Sequence, residues 1–226
     1  MSNKVNEQDI KKYKKATLIM DTLNELYPDP PIPLSHNNDF TLLVAVVLSA
    51  QSTDKKVNEL TPELFKKASD ANSMFNLGED SIYKLIKELG LSKQKARYLH
   101  ELSRIIGQKF SSKVPSNFQD LESLPGVGHK TASVVMAQAF GIPSFPVDTH
   151  IHRLSQRWGL TNGKNVLQTE RDLKSIFPES KWNKLHLQFI YYGREFCSAK
   201  GCDGCVCRIC KQLYPKRKGK FIHKRA

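Results

Sequence analysis

Apolar residues along this chain recur mostly at steps of three and four, the spacing of one helical face. Tyr13, Ala16, Met20, Leu23 and Tyr27 predict a first amphipathic helix, which Pro28, Pro30, Pro31 and Pro33 end in a stiff connector. Residues 42–50 predict a buried helix with Asp39 as its N-cap, and Ser52 or Thr53 is placed to cap the next. Thr61-Pro62 reads as a further N-cap followed by proline in the first helical position. Residues 80–89 predict a short helix closed by Gly90, and Leu99, Leu102 and Ile106 mark the apolar face of its successor. Residues 117–123 predict another short helix, and a second follows it to Phe140. Helices are then expected at residues 149–158, 170–177 and 181–196. No segment alternates with a period of two, so the expected fold is all-α, about ten helices with short loops.

Charge narrows the choice of partner. The 226 residues hold 35 Lys and Arg against 22 Asp and Glu, a net charge of +13. Such a surplus concentrates polyanions, and nucleic acid is the commonest of these. The lysine-rich residues 1–15 have no apolar core behind them and do not read as a signal peptide. The apolar run at 42–50 is far shorter than the roughly 20 residues that span a bilayer. The expectation is an intracellular protein with no membrane partner, in a compartment where disulfides are disfavoured.

Two strings carry candidate chemistry. In residues 124–132, LPGVGHKTA, Gly126 and Gly128 flank Val127 between two helices. Glycines there let the backbone turn tightly and approach a ligand, and the first amides of the following helix suit a phosphate. The string reads as a helix-hairpin-helix clamp on a DNA backbone rather than a plain corner between helices. Lys130 falls in the first turn of the second helix. There the helix dipole and partial burial are expected to lower its pKa, as a Schiff-base lysine requires; a phosphate-contacting lysine fits the position equally well. In residues 145–153, FPVDTHIHR, Asp148 immediately precedes a helix. It is placed as an N-cap, and a carboxylate held by helix amides also stays ionised to stabilise positive charge on a sugar losing its base.

Together these strings resemble the hairpin and catalytic loop of the endonuclease III family, and the similarity runs over nearly the whole chain. That resemblance implies base-excision repair by a bifunctional enzyme, a DNA N-glycosylase for oxidised pyrimidines that also cleaves the abasic site by β-elimination. It implies that Lys130 attacks C1′ of the damaged nucleotide and that Asp148 assists base loss and lysine activation. Gly126, Val127, Gly128 and His129 would meet the DNA backbone, although the family usually carries Arg where His129 stands. Gln51 would fill the hole left by an extruded base and Leu91 would wedge the opposite strand. From the residues alone, Gln51 reads as a helix-end polar group and Leu91 as an inward-packing loop leucine. The implied architecture is two helical domains flanking a DNA-binding cleft. Residues 34–142 would be a helical barrel carrying the hairpin, and residues 1–33 with 143–226 a discontinuous cluster domain. The implied partner is double-stranded DNA with a damaged base or abasic site, bound by a monomer, in the cytoplasm and nucleoid if the source is bacterial. Two rivals are a monofunctional mismatch glycosylase and a non-catalytic helix-hairpin-helix DNA-binding module. Neither needs Lys130.

All five cysteines, Cys197, Cys202, Cys205, Cys207 and Cys210, fall in one short segment, which points to a metal. A zinc ribbon separates two CxxC pairs by a longer loop, so close spacing favours a 4Fe-4S cluster. The family spacing is six, two and five residues between cysteines. Cys197, Cys202, Cys205 and Cys210 give a shortened version with Cys207 spare; a set built on Cys207 and Cys210 is the alternative. Lys200, Arg208 and Lys211 are expected to offer charge to phosphates, and residues 216–225 to form a mobile basic arm.

Overall fold

The computed structural model describes residues 7–204, 206–216 and 220–221. The first helix, α1 (Glu7–Leu26), buries Ala16, Ile19 and Leu23, while Tyr13 is exposed, so the buried stripe is rotated from the one the pattern suggested. It belongs to a unit of residues up to Pro31 together with those from Pro143 onward; Ile32–Ile142 forms a second unit.

The Ile32–Ile142 unit is helical throughout. Helix α2 (Asp39–Ser49) buries every position from Phe40 to Leu48 and so runs through the centre of its core. Its N-cap is Asn38, not Asp39: Asn38 accepts from Thr41 N at 2.8 Å while Thr41 Oγ1 accepts from Asn38 N at 2.9 Å. Thr53 caps α3 (Asp54–Lys67). This helix does not restart at Thr61-Pro62. Val57, Thr61, Leu64 and Phe65 form one buried stripe across Pro62, and packing outweighs the hydrogen bond that proline removes. Next come α4 (Ala71–Leu77), which the periodicity did not reveal, and α5 (Glu79–Ile86). Helix α5 stops before Gly90, so that glycine is not its cap. The long α6 (Ser92–Lys109) packs on α4 and α5, burying Leu99, Leu102 and Ile106. Helices α7 (Phe118–Glu122) and α8 (His129–Gln138) complete the unit.

In the other unit α1 packs on α11 (Trp182–Glu195), with α9 (Thr149–Arg157) and α10 (Val166–Ile176) around them. Asn165 caps α10, which therefore starts before the expected Glu170. Trp158 stacks edge-on against Phe189 at 5.0 Å and Tyr192 at 5.6 Å in the core. After α11 the chain forms β1 (Cys202–Asp203), α12 (Arg208–Leu213) and β2 (Lys220–Phe221), and the two strands pair antiparallel. Strands of two residues are too short to show alternation. Apart from these strands and one bridge between Ser198 and Gly201, the regular structure of the described residues is helical, and among them no helix is long and apolar enough to cross a membrane.

Candidate functional site

Leu121, Leu124 and Val127 are buried and anchor the α7–α8 turn, which Val127 N closes by donating to Leu124 O at 3.1 Å. The two glycines of this turn differ in kind. Gly126 has φ +79°, and a Cβ there would lie 2.6 Å from Tyr98 Cδ2 on α6, so the fold itself demands glycine. Gly128, at φ −93° and ψ 177°, has a conformation any residue adopts, and a Cβ there would meet nothing within 4 Å. It leaves open backbone at the start of α8, where amides lack intrahelical partners. His129 stacks on Phe118 at 5.6 Å, and its Nδ1 lies 2.8 Å from Glu122 Oε1. Lys130 is exposed, which removes the expected partial burial, and no hydrogen bond or ion pair among the described residues engages its amine. Its place in the first turn of α8 remains.

Gln51 follows α2 and Leu91 precedes α6, and the structure brings their turns together. Both are exposed, Leu91 by 50%, and both are left-handed, at φ +53° and +58°. That conformation costs a non-glycine residue roughly 1–2 kcal/mol. An inward-packing Leu91 is thereby excluded. Gly90 backs onto the Gln51 turn, where a Cβ would stand 3.1 Å from Gln51 O.

Asp148 lies in the unit opposite to Lys130's in the chain's division. It caps α9, accepting from Ile151 N at 2.8 Å, and is half-buried. The segment leading to it is fixed by α11: Ser144 N donates to Asn183 Oδ1 at 3.0 Å, and His186 Nδ1 lies 2.9 Å from Pro146 O.

The structure gathers Cys197, Cys202, Cys207 and Cys210, all buried, with their sulfurs within 4.8 Å of one another. Cys207, expected to be spare, is thus the fourth sulfur, and Cys205 lies outside the described residues. The start of α12 puts Cys207 beside Cys210, as in the alternative set built on that pair. Tyr192 Oη accepts from Ile209 N at 2.9 Å and lies 3.2 Å from Cys207 Sγ. Two buried arginines of α9 converge on the same place. Arg157 Nη1 donates to Cys197 Sγ at 3.2 Å and Ser198 O at 2.7 Å, and Arg153 Nη2 donates to Cys197 O at 2.9 Å. Burial, and then Arg157, lowers the Arg153 pKa. Paired buried cations call for negative charge beside them. Hydrogen bonding among the crowded sulfurs pushes Cys197 and Cys207 down and Cys202 and Cys210 up. The donor set fits a thiolate-bound metal group. Arg208 does not offer the free charge expected of it, because Glu25 binds its guanidinium through both oxygens.

Residues 44–179 match the model of the HhH-GPD superfamily of base excision DNA repair proteins. An endonuclease III of Synechocystis is 41% identical over 84% of this chain and 87% of its own length. One of Treponema pallidum is 42% identical over 86% and 93%. The structure of a trapped endonuclease III–DNA covalent intermediate superposes with a TM-score of 0.82 at 35% identity, covering 88% of this chain and 97% of the other.

The chain belongs to the endonuclease III family. Its role is that of a DNA glycosylase with abasic-site lyase activity in base excision repair. Against the family pattern the site departs in two places. His129 stands where an Arg is usual and is engaged by Glu122. The gathered cysteines are separated by four, four and two residues rather than six, two and five. Sequence reasoning passed over Tyr98, which backs the Gly126 turn, Lys95, which reaches Ser52, and Arg153 and Arg157 beside Cys197; burial of a charged side chain is not marked in a lone sequence.

Proposed function

We propose that the chain removes oxidised pyrimidines from duplex DNA and then cuts the strand by β-elimination, with Lys130 as the nucleophile and Asp148 as its assisting carboxylate. The observation that carries this reading is the exposed, unengaged Lys130 amine at the start of α8, next to the open backbone of Gly128. A cation is poorly placed there for stability, and the free amine is well placed for attack on a phosphate-anchored sugar. As the free amine, Lys130 Nζ bonds to C1′ while the glycosidic electron pair leaves with the base. Ring opening gives the imine, loss of the C2′ proton expels the 3′ phosphate, and hydrolysis frees the lysine. The Asp148 carboxylate, held in place by the Ile151 amide, stabilises the positive charge that develops on the sugar and takes up the lysine's proton.

The backbone from Gly126 to His129 holds a phosphate beside the extruded nucleotide, Gln51 fills the space the base leaves and Leu91 wedges into the opposite strand. Their exposed, left-handed placement supports an insertion role. A monomer acting on chromosomal DNA in the cytoplasm suits the chemistry.

Cys197, Cys202, Cys207 and Cys210 would hold a 4Fe-4S cluster. When bound, the cluster cross-links a segment that has few apolar residues of its own. A second reading rests on the 4.8 Å limit: sulfurs around one tetrahedral zinc ion stand about 3.8 Å apart, and those around a four-iron cube stand farther apart. Iron and zinc analysis of anaerobically purified protein separates the two.

Borohydride trapping tests the nucleophile. The wild-type chain should become covalently linked to a duplex carrying an oxidised pyrimidine, and Lys130→Gln should bind that duplex without linkage. Wild-type trapping by Lys130→Gln would remove Lys130 from the reaction.

A further inference from the structure

Lys95 is a buried cation that neither the chemistry above nor the packing of α6 requires. It is only 3% exposed, and burial lowers its pKa. Among the described residues its ammonium donates to a single group, Ser52 Oγ, at 2.9 Å. One neutral acceptor compensates an ammonium poorly for leaving water, and a methionine would fill the same space without that penalty. What the lysine adds is a connection.

The connection joins two strained turns. Through its main chain Lys95 donates from N to Leu91 O at 2.9 Å, the first hydrogen bond of α6. Through its side chain it reaches Ser52, the residue after Gln51 and 43 positions away in sequence. Gly90 closes the gap between the turns, 3.1 Å from Gln51 O if it carried a Cβ. Left-handed residues such as Gln51 and Leu91 persist only where the surroundings over-determine them. Both exposed side chains are therefore held from beneath by one residue that is itself out of reach of DNA.

We propose that Lys95 is a positioning residue that clamps the Gln51 and Leu91 turns into a single rigid wedge, so that both side chains enter the duplex together as the base is extruded. The proposal rests on the reading of Gln51 and Leu91 as inserted residues. Its consequence is selective: the clamp matters when a paired base must be displaced and matters little when no base remains to displace.

Lys95→Met keeps the buried volume and removes the connection. Single-turnover base excision on a duplex with a paired oxidised pyrimidine should fall about tenfold, with strand cutting at a preformed abasic site falling at most about twofold. A 2-aminopurine beside the lesion should brighten more slowly on binding. Ser52→Ala cuts the same connection from the other end, and the double variant should be no slower than the slower single variant. Melting temperature is measured on each, so that if Lys95→Met does not fold, Ser52→Ala decides. Equal losses on the two substrates, additive losses in the double variant, or unchanged excision by a folded Lys95→Met would overturn the clamp. Gln51→Ala and Leu91→Ala distinguish the two failures. If they leave excision intact, the insertion reading falls and the clamp with it; if they slow excision while Lys95→Met does not, the clamp alone falls.

Discussion

Replacing the two hairpin glycines one at a time should separate what the fold needs from what the DNA needs. At Gly126 alanine meets two penalties. A non-glycine residue at φ +79° costs about 1–2 kcal/mol. The new Cβ would also stand 2.6 Å from Tyr98 Cδ2, and rotating the ring gives no relief because Tyr98 Cβ is itself 3.1 Å away. Overpacking of that kind adds roughly 1–3 kcal/mol. The combined loss, roughly 2–5 kcal/mol, should lower Tm by about 9–21 °C in a unit of this size. At Gly128 the same substitution meets no atom within 4 Å and no dihedral strain. Restricting the unfolded chain should leave stability unchanged or raise it by about 0.4–1 kcal/mol. The methyl group would instead hold a phosphate away from the α8 amides, at about 1–2 kcal/mol or a five- to thirtyfold rise in Kd. Fluorescence anisotropy on a duplex with a stable abasic analogue, at one fixed salt concentration, reads the affinity; circular dichroism reads the melting. Unchanged affinity in Gly128→Ala would refute close backbone approach at that glycine. An unchanged Tm in Gly126→Ala would refute the packing argument.

Other substitutions carry equally direct expectations. Asp148→Asn should keep the α9 cap and melt near the wild type while losing at least about a hundredfold in excision; Asp148→Ala should lose activity and about 1 kcal/mol of stability. Normal activity in a folded Asp148→Asn would make the residue a cap alone. Cys207→Ser should lower metal content and loosen the segment around α12, whereas Cys205→Ser should leave metal content unchanged; the reverse would restore the Cys205 set. Leu91→Gly removes the left-handed strain and an exposed side chain, so Tm should be at or above the wild-type value while duplex excision falls about tenfold. A faster or unchanged excision rate would take Leu91 out of the wedge.

Legibility from sequence followed the range of the interaction. The apolar face of α6 is local and was readable, as were the presence of α1, α9 and α11 and the N-cap position of Asp148, although the buried face of α1 was misplaced. Helix α4 was hidden because seven residues hold too few turns to show a period, although Asp70 and Ser73 are a capping pair visible in the string. Thr61-Pro62 misled because a local breaker was outweighed by contacts of Leu64 and Phe65 with the core. Pairings across long separations were beyond reach. Arg208 with Glu25, Lys95 with Ser52 and Gly126 with Tyr98 each join residues whose nearness only the folded chain defines. The cysteines are an intermediate case. Their clustering announced a metal, but choosing among five candidates required the loop's path, which put Cys207 with Cys197, Cys202 and Cys210.

Among the described residues four non-glycine positions take positive φ, and comparing them shows why two are informative. Ser111 and Ser112 sit just past α6, where Ser112 N reaches back to Ile106 O at 3.1 Å. Terminating a helix in this way gives the Ile106 carbonyl a second donor besides Phe110 N, so the fold explains their conformation. Leu91 receives no such explanation. It occupies the N-cap of α6, a position that favours an extended, polar residue able to accept from the helix amides, and it is left-handed, apolar and half exposed. Glycine or asparagine would relieve the strain, and serine or aspartate would cap the helix. A leucine does neither, and its side chain contacts too little of the core to repay the difference. The same holds more weakly for Gln51, whose amide is exposed beyond the end of α2. A chain selected only to fold has no use for two such residues on adjoining turns, held by a buried lysine. One that must enter a duplex does, because side chains already fixed at the tip of a rigid support lose little further freedom when they replace a base.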